Sequence, residues 1–158
     1  MGEAMLIETT RFGTIEVKDE SIVHMAEGML GFEHCNRYAL IEDRPDASFK
    51  WLQAVDDPAV AFIVINPVEF FSEYEVELTD EQAESLGLAD ATDSAMFTTV
   101  TVRREEGKAT TDLAGPIVMN VRTMQARQIV IEHDRYHTSH IIGEKAACAE
   151  EPEFATAV

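Results

Sequence analysis

Positive charge is scarce in this sequence. Lys and Arg number 12 against 30 Asp and Glu in 158 residues, a formal charge of -18 with the five histidines neutral. A surface this acidic repels phosphate, which argues against direct DNA or RNA binding and favours a basic protein partner. Long apolar runs are also missing: no stretch approaches the ~20 residues that span a bilayer, and Met1 to Thr10 lacks a basic segment followed by an apolar one. No membrane partner and a cytoplasmic location are therefore expected. Cysteine is limited to Cys35 and Cys148, too far apart for a disulfide framework or a CxxC zinc knuckle, so free thiols are expected. What remains is 46% hydrophobic and 27% charged, a composition that buries a core and suits one folded soluble domain.

The scarcity of cations is most pronounced between Trp51 and Val102, which hold no Lys, Arg or His. Within that span Glu69, Glu73, Glu75 and Glu77 crowd around Phe70, Phe71 and Tyr74. The run from Glu73 to Leu78 alternates strictly. As a strand it turns Tyr74, Val76 and Leu78 inward and three carboxylates outward, each ~6.6 Å from the next. Such a face serves solubility, or it docks a cationic partner that relieves the repulsion between like charges.

Short apolar segments separated by turns dominate the rest. Strands are predicted over Met5 to Thr10, Gly13 to Val17, Ser21 to Met25, Tyr38 to Glu42, Phe49 to Val55, Ala61 to Asn66, Glu75 to Leu78, Met96 to Arg104, Ala109 to Leu113, Ile117 to Val121 and Gln128 to Glu132. The unbroken runs Phe62-Ile63-Val64-Ile65 and Ile129-Val130-Ile131 read as central strands covered on both faces. Thr79-Asp80-Glu81-Gln82 fits a capping box, so one short helix is expected from Asp80 to about Leu86, closed by Gly87. The fold class is all-β, a single-domain antiparallel β-barrel-like fold with that one helix. The domain covers residues 1–142, and the Ala- and Glu-rich tail 143–158 is expected to be disordered.

Signals for catalysis are few. His133, His137 and His140 form an H-x3-H-x2-H pattern that on a helix places three imidazoles on one face, the ligand set of a metal-dependent hydrolase. The segment has no helix start signal and carries Thr138, Ile141 and Ile142, so an extended chain is expected to scatter the rings. No His-Glu-x-x-His pair, G-x-S-x-G elbow or P-loop occurs, and Asp56 and Asp57 as strand neighbours point to opposite faces. No enzyme activity, cofactor or metal is expected. Two apolar loops remain. Gly28-Met29-Leu30-Gly31-Phe32-Glu33 and Val68-Glu69-Phe70-Phe71-Ser72-Glu73-Tyr74 either cover the core or offer apolar anchors within an acidic rim, as a groove for an amphipathic helix does.

These loops, with Phe12-Gly13-Thr14-Ile15-Glu16, Trp51-Leu52-Gln53-Ala54-Val55-Asp56-Asp57, Asn66-Pro67 before Val68, and Pro116-Ile117-Val118-Met119-Asn120 followed by Gln128-Ile129-Val130-Ile131, resemble the FliW family of flagellar assembly factors. Order and spacing match from about Leu6 to Ile142. The sequence departs from the family at Met25-Ala26, Asp112 and Ala126. The resemblance implies a compact antiparallel barrel that is not an enzyme and binds two proteins, flagellin and the translational regulator CsrA. Free FliW holds CsrA away from flagellin mRNA, and accumulating flagellin reclaims FliW and restores repression. The candidate partner-binding residues are Met29, Leu30, Phe32, Glu69, Phe70, Phe71, Glu73, Tyr74, Glu75 and Glu77.

Overall fold

The computed structural model describes residues 4–29, 31–42, 49–88, 93–103, 105, 107–131 and 136–143. Strands β1 (Ala4–Thr9) and β2 (Gly13–Lys18) pair antiparallel as a separate hairpin. A larger sheet contains β3 (Ile22–His24), β4 (Arg37–Ile41), β5 (Lys50–Ala54), β6 (Ala61–Ile65), β7 (Ser94–Arg103), β8 (Lys108–Thr111), β9 (Ile117–Asn120), β10 (Gln125–Gln128) and β11 (His140–Gly143). Nearly all neighbours are antiparallel. The exception is β10 against β3, a parallel contact at Gln125 and His24.

The ten residues of β7 close the structure. Ser94 to Phe97 pair with β9, Thr98 to Val100 with β6, and Val100 to Arg103 with β8. Seven strands, in the order β7-β6-β5-β4-β3-β10-β9, therefore return to β7 as a barrel, and β8 and β11 extend the sheet outward from it. Closure pairs each of the seven barrel strands on both sides, which leaves β11 as the remaining edge of the sheet among the described residues.

Strand β6 is buried on both faces, as its unbroken apolar run predicts. Phe62 and Val64 join Val23, Met25, Tyr38, Leu52 and Ile117 in the barrel interior, and Ile63 and Ile65 pack on the other side with Trp51, Val100 and Val102. Each such side chain contributes about 1.5–3 kcal/mol when fully buried. The β1–β2 hairpin covers Ile22 and Ala39 with Ile7 and Val17. Gln53 is fully buried, and its Nε2 donates to the carbonyls of Ala54, Pro58 and Val60, which holds the turn between β5 and β6. Cys35 is a buried free thiol.

Helix α1 (Asp80–Ser85) starts at the predicted cap: the Thr79 hydroxyl accepts from the Gln82 amide at 3.1 Å, and Gln82 Oε1 accepts from the Thr79 amide at 2.9 Å. Gly87 follows at φ +67°, the left-handed closure.

Three sequence expectations need correction. Glu75 to Leu78 pairs with no strand among the described residues. Its alternation is nevertheless real, with Glu73, Glu75 and Glu77 exposed, Tyr74 buried and Val76 and Leu78 half-buried over Leu86, Val118 and Ile129. An extended chain laid flat on a core alternates without a ladder. Second, the last barrel strand is Gln125–Gln128 instead of Gln128 to Glu132, and Val130 is 54% exposed. Its partner β9 begins after Pro116, which has no N–H to donate, so the ladder ends at the Gln128–Ile117 pair. Beyond it the Ile129 and Ile131 amides still donate singly to the carbonyls of Pro116 and Ala114. Third, Gly143 does not begin a disordered tail, since it closes β11 opposite Ala109. The expectation for 144–158 lies outside the described residues.

Candidate partner-binding site

The two apolar loops take different roles. In the first, Gly28 adopts φ +67°, and a Cβ there would stand 2.7 Å from the Glu33 Cα, so only glycine fits this close crossing. Glu33 Oε2 accepts from the Gly31 amide at 3.1 Å, which with its own backbone amide holds its carboxyl below the usual range. The resulting tight turn sends Met29 into the barrel interior, 3% exposed, and lays half-buried Phe32 edge-on to Phe62 with ring centres 5.2 Å apart. Met29 is thus a core residue and is corrected as a partner anchor; Leu30 lies outside the described residues.

The second loop builds a cleft. After β6, Asn66 Oδ1 accepts from the Val68 amide and starts the 3-10 turn Pro67–Glu69. Half-buried Phe70 stacks on Phe49 at 6.4 Å, and half-buried Phe71 meets the His140 ring edge-on at 5.8 Å. Tyr74 is buried to 4% exposure, with its hydroxyl donating to the Leu113 carbonyl at 2.6 Å and its ring edge-on to Tyr136 at 4.7 Å. Phe70, Phe71, Ser72, Glu73, Tyr74 and Tyr136 line a cleft of about 590 Å³. Exposed Glu69, Glu75 and Glu77 belong to the same acidic stretch, though none of them lines the cleft itself. Apolar anchors beside acids suit an amphipathic, cationic segment.

Sequence reasoning passed over the far wall. Tyr136 is the one aromatic in the polar run from His133 to His140, which was a signal for it. Asp112 stood out in the sequence only as a departure from the family pattern, with no sign of its place near Tyr74 and His140. That carboxylate is half-buried and accepts from the Ala114 and Gly115 amides; burial pushes its pKa up while those two donors oppose the rise. The histidine pattern also behaves differently from the expectation. His137 and His140 do not scatter: their rings stack at 5.4 Å, and the His137 amide donates to His140 Nε2 at 2.8 Å. Burial, then the nearby His137, lowers the pKa of His140. With that nitrogen accepting from the backbone, the pair is a poor ligand set, and His140 backs the cleft through its edge-on contacts with Phe71 and Tyr136. His133 lies outside the described residues.

The family model described as FliW protein matches residues 6–142. The chain belongs to the FliW family. A "Flagellar assembly factor FliW" of Magnetococcus marinus is 46% identical over 129 residues, covering 80% of this chain and 78% of the relative. One of Geobacter sulfurreducens is 38% identical over 94% of this chain and 92% of its own length. The crystal structure of the flagellar assembly factor FliW superposes with a TM-score of 0.80 at 31% identity, over 89% of this chain and 99% of that one. The barrel is therefore the FliW fold, and both apolar loops, the helix cap and the cleft lie inside the matched span. No helix among the described residues is long and apolar enough to cross a membrane.

Proposed function

We propose that this FliW protein acts in the cytoplasm as a non-enzymatic switch that binds flagellin and CsrA in turn and so frees flagellin mRNA from CsrA repression. The observation that carries the reading is the cleft of Phe70, Phe71, Tyr74 and Tyr136 beside an acidic stretch. Flagellin's amphipathic terminal helices need apolar anchors at i, i+3 and i+4 spacing, and a cleft of this chemistry supplies them. CsrA, a basic RNA-binding dimer, meets a chain of formal charge -18 whose acidity repels phosphate. If the two partners share the Glu73 to Glu77 rim, competition alone makes the switch and no conformational change is needed. Mixing the protein with CsrA, adding flagellin and separating the mixture by size tests it. Flagellin is expected to release CsrA, and a stable ternary peak places the partners on separate faces and ends the exclusion model.

The hydrolase alternative gains no support. Its His140 Nε2 is already engaged by a backbone amide, and neighbouring His137 stacks on it instead of converging with it on a common point.

A further inference from the structure

On the far side of the Gly28 turn, three side chains of metal-ligating type converge. His34 Nε2, Cys35 Sγ and Asp57 carboxylate oxygen all lie within 4.8 Å of one another. His34 and Asp57 stand at the surface, 3.2 Å apart, with the Cys35 thiol beneath them at 0% exposure. We propose that these three residues bind a divalent transition-metal ion of the zinc class, with water in the fourth position.

Four observations support a site over a chance encounter. His34 Nε2 and Asp57 Oδ2 are hydrogen-bonded at 3.2 Å, a separation also close to the edge of a tetrahedron with metal bonds of ~2.0–2.1 Å, so a metal replaces that hydrogen bond with little movement of the two ligands and the sulphur needs to close by at most ~1.3 Å. Asp57 is pre-oriented: its Oδ1 accepts from the Ala59 amide at 3.2 Å, leaving Oδ2 toward His34. The neighbouring acid, Asp56, does not compete, because Arg37 holds it at 2.7 Å. Finally, the Tyr38 hydroxyl is fully buried with no well-formed hydrogen bond, and the group it acts on is Cys35. A neutral thiol is a poor acceptor, whereas a metal-bound thiolate would accept that hydroxyl and satisfy it. Asp56 and Asp57 already make the surroundings of the thiol negative, which favours a cation there.

Binding replaces the Sγ–H proton with an Sγ–metal bond and releases that proton to solvent, while His34 and Asp57 bind through a ring-nitrogen lone pair and a carboxylate oxygen. An occupied site would tie the loop before β4 to the turn between β5 and β6. The ligands at 34, 35 and 57 follow no sequence motif, and the site is separate from His137 and His140. It also stands or falls independently of the partner-switching reading.

The test is Co²⁺ titration of full-length protein purified without a metal-affinity step, with Zn²⁺ as displacing ion. The expected result is one ion per chain, a thiolate-to-cobalt charge-transfer band in the near ultraviolet, and about one proton released per ion at neutral pH. The band should vanish in Cys35→Ala and persist in Cys148→Ser and His137→Gln. His34→Gln, at an exposed position, and Asp57→Asn, at a half-buried one, should weaken binding ~10-fold or more with circular dichroism confirming that each fold is retained. A missing band, a band that follows Cys148, or an affinity unmoved by His34→Gln overturns the assignment.

Discussion

The Tyr74 hydroxyl donates to the Leu113 carbonyl across 2.6 Å of buried space, fastening the acidic strip that precedes α1 to the turn that leaves β8. This bond orders the cleft, because the Tyr74 ring is both its floor and the contact for Tyr136. Burial raises the Tyr74 pKa, so the donor stays protonated throughout the physiological range. Tyr74→Phe keeps the ring and leaves a buried carbonyl unsatisfied, a loss of about 1–3 kcal/mol. The thermal midpoint should fall by several degrees for a chain of this size. An unchanged midpoint would show that water replaces the hydroxyl.

Phe71 is half-buried and contributes to the cleft without belonging to either barrel core. Phe71→Ala should therefore spare the fold and weaken flagellin binding by about 1–3 kcal/mol, with CsrA less affected. Calorimetry with each partner decides it. Equal losses for both would mean that CsrA uses the same anchor.

Replacing Glu73, Glu75 and Glu77 with Gln removes three exposed charges and leaves the extended strip unchanged in shape. CsrA binding should weaken by about 0.5–1 kcal/mol per charge, chiefly through slower association, and its salt dependence should flatten. If stopped-flow rates and salt slope match the parent, CsrA docks elsewhere.

His140 connects the cleft to pH. Its folded-state pKa lies below the ordinary 6.5, so the unfolded chain holds that proton more tightly, and stability drops as the pH falls from about 6.5 toward the folded value. Protonation also removes the lone pair that accepts from the His137 amide, loosening the wall beside Tyr136. Asp112 acts in the opposite sense in the acid range, since its raised pKa favours the folded state as it takes up a proton. Denaturant midpoints measured from pH 7.5 to 5.5 should decline in the parent and decline less in His140→Gln; parallel curves would remove His140 from the account.

Gly28→Ala tests the first loop. The added methyl clashes with the Glu33 backbone at a positive φ, so a loss of about 1–3 kcal/mol is expected from strain alone. Stability at the parent value would mean that the turn can re-form without this crossing.

Much of the fold was readable because it rests on local rules. The unbroken burial of β6, the Thr79 to Gln82 cap and the Gly87 closure follow from residues one to four positions apart, and each appears where its residues predict. The readings that failed depended on distant partners. Val130 is apolar yet exposed because its ladder stops where β9 begins, just after Pro116, a segment distant from Val130 in sequence. Met29 looked like a surface anchor because the side chains it packs with in the barrel interior, Phe62 and Met119 among them, come from distant strands.

By itself, the sequence determined the excess of acid, its concentration between Trp51 and Val102, the strand-rich character of the chain and its place in the FliW family, since these reside in residue identity and spacing. Tertiary structure alone decided that β7 closes the barrel, that Phe71, Tyr74 and Tyr136 share one cleft with His140 behind them, and that His34, Cys35 and Asp57 meet. The physical reason is the range of the interactions. Burial periodicity and capping are settled within a turn or a strand, whereas a cleft wall or a ligand set is assembled from segments that only ladder pairing and core packing bring together.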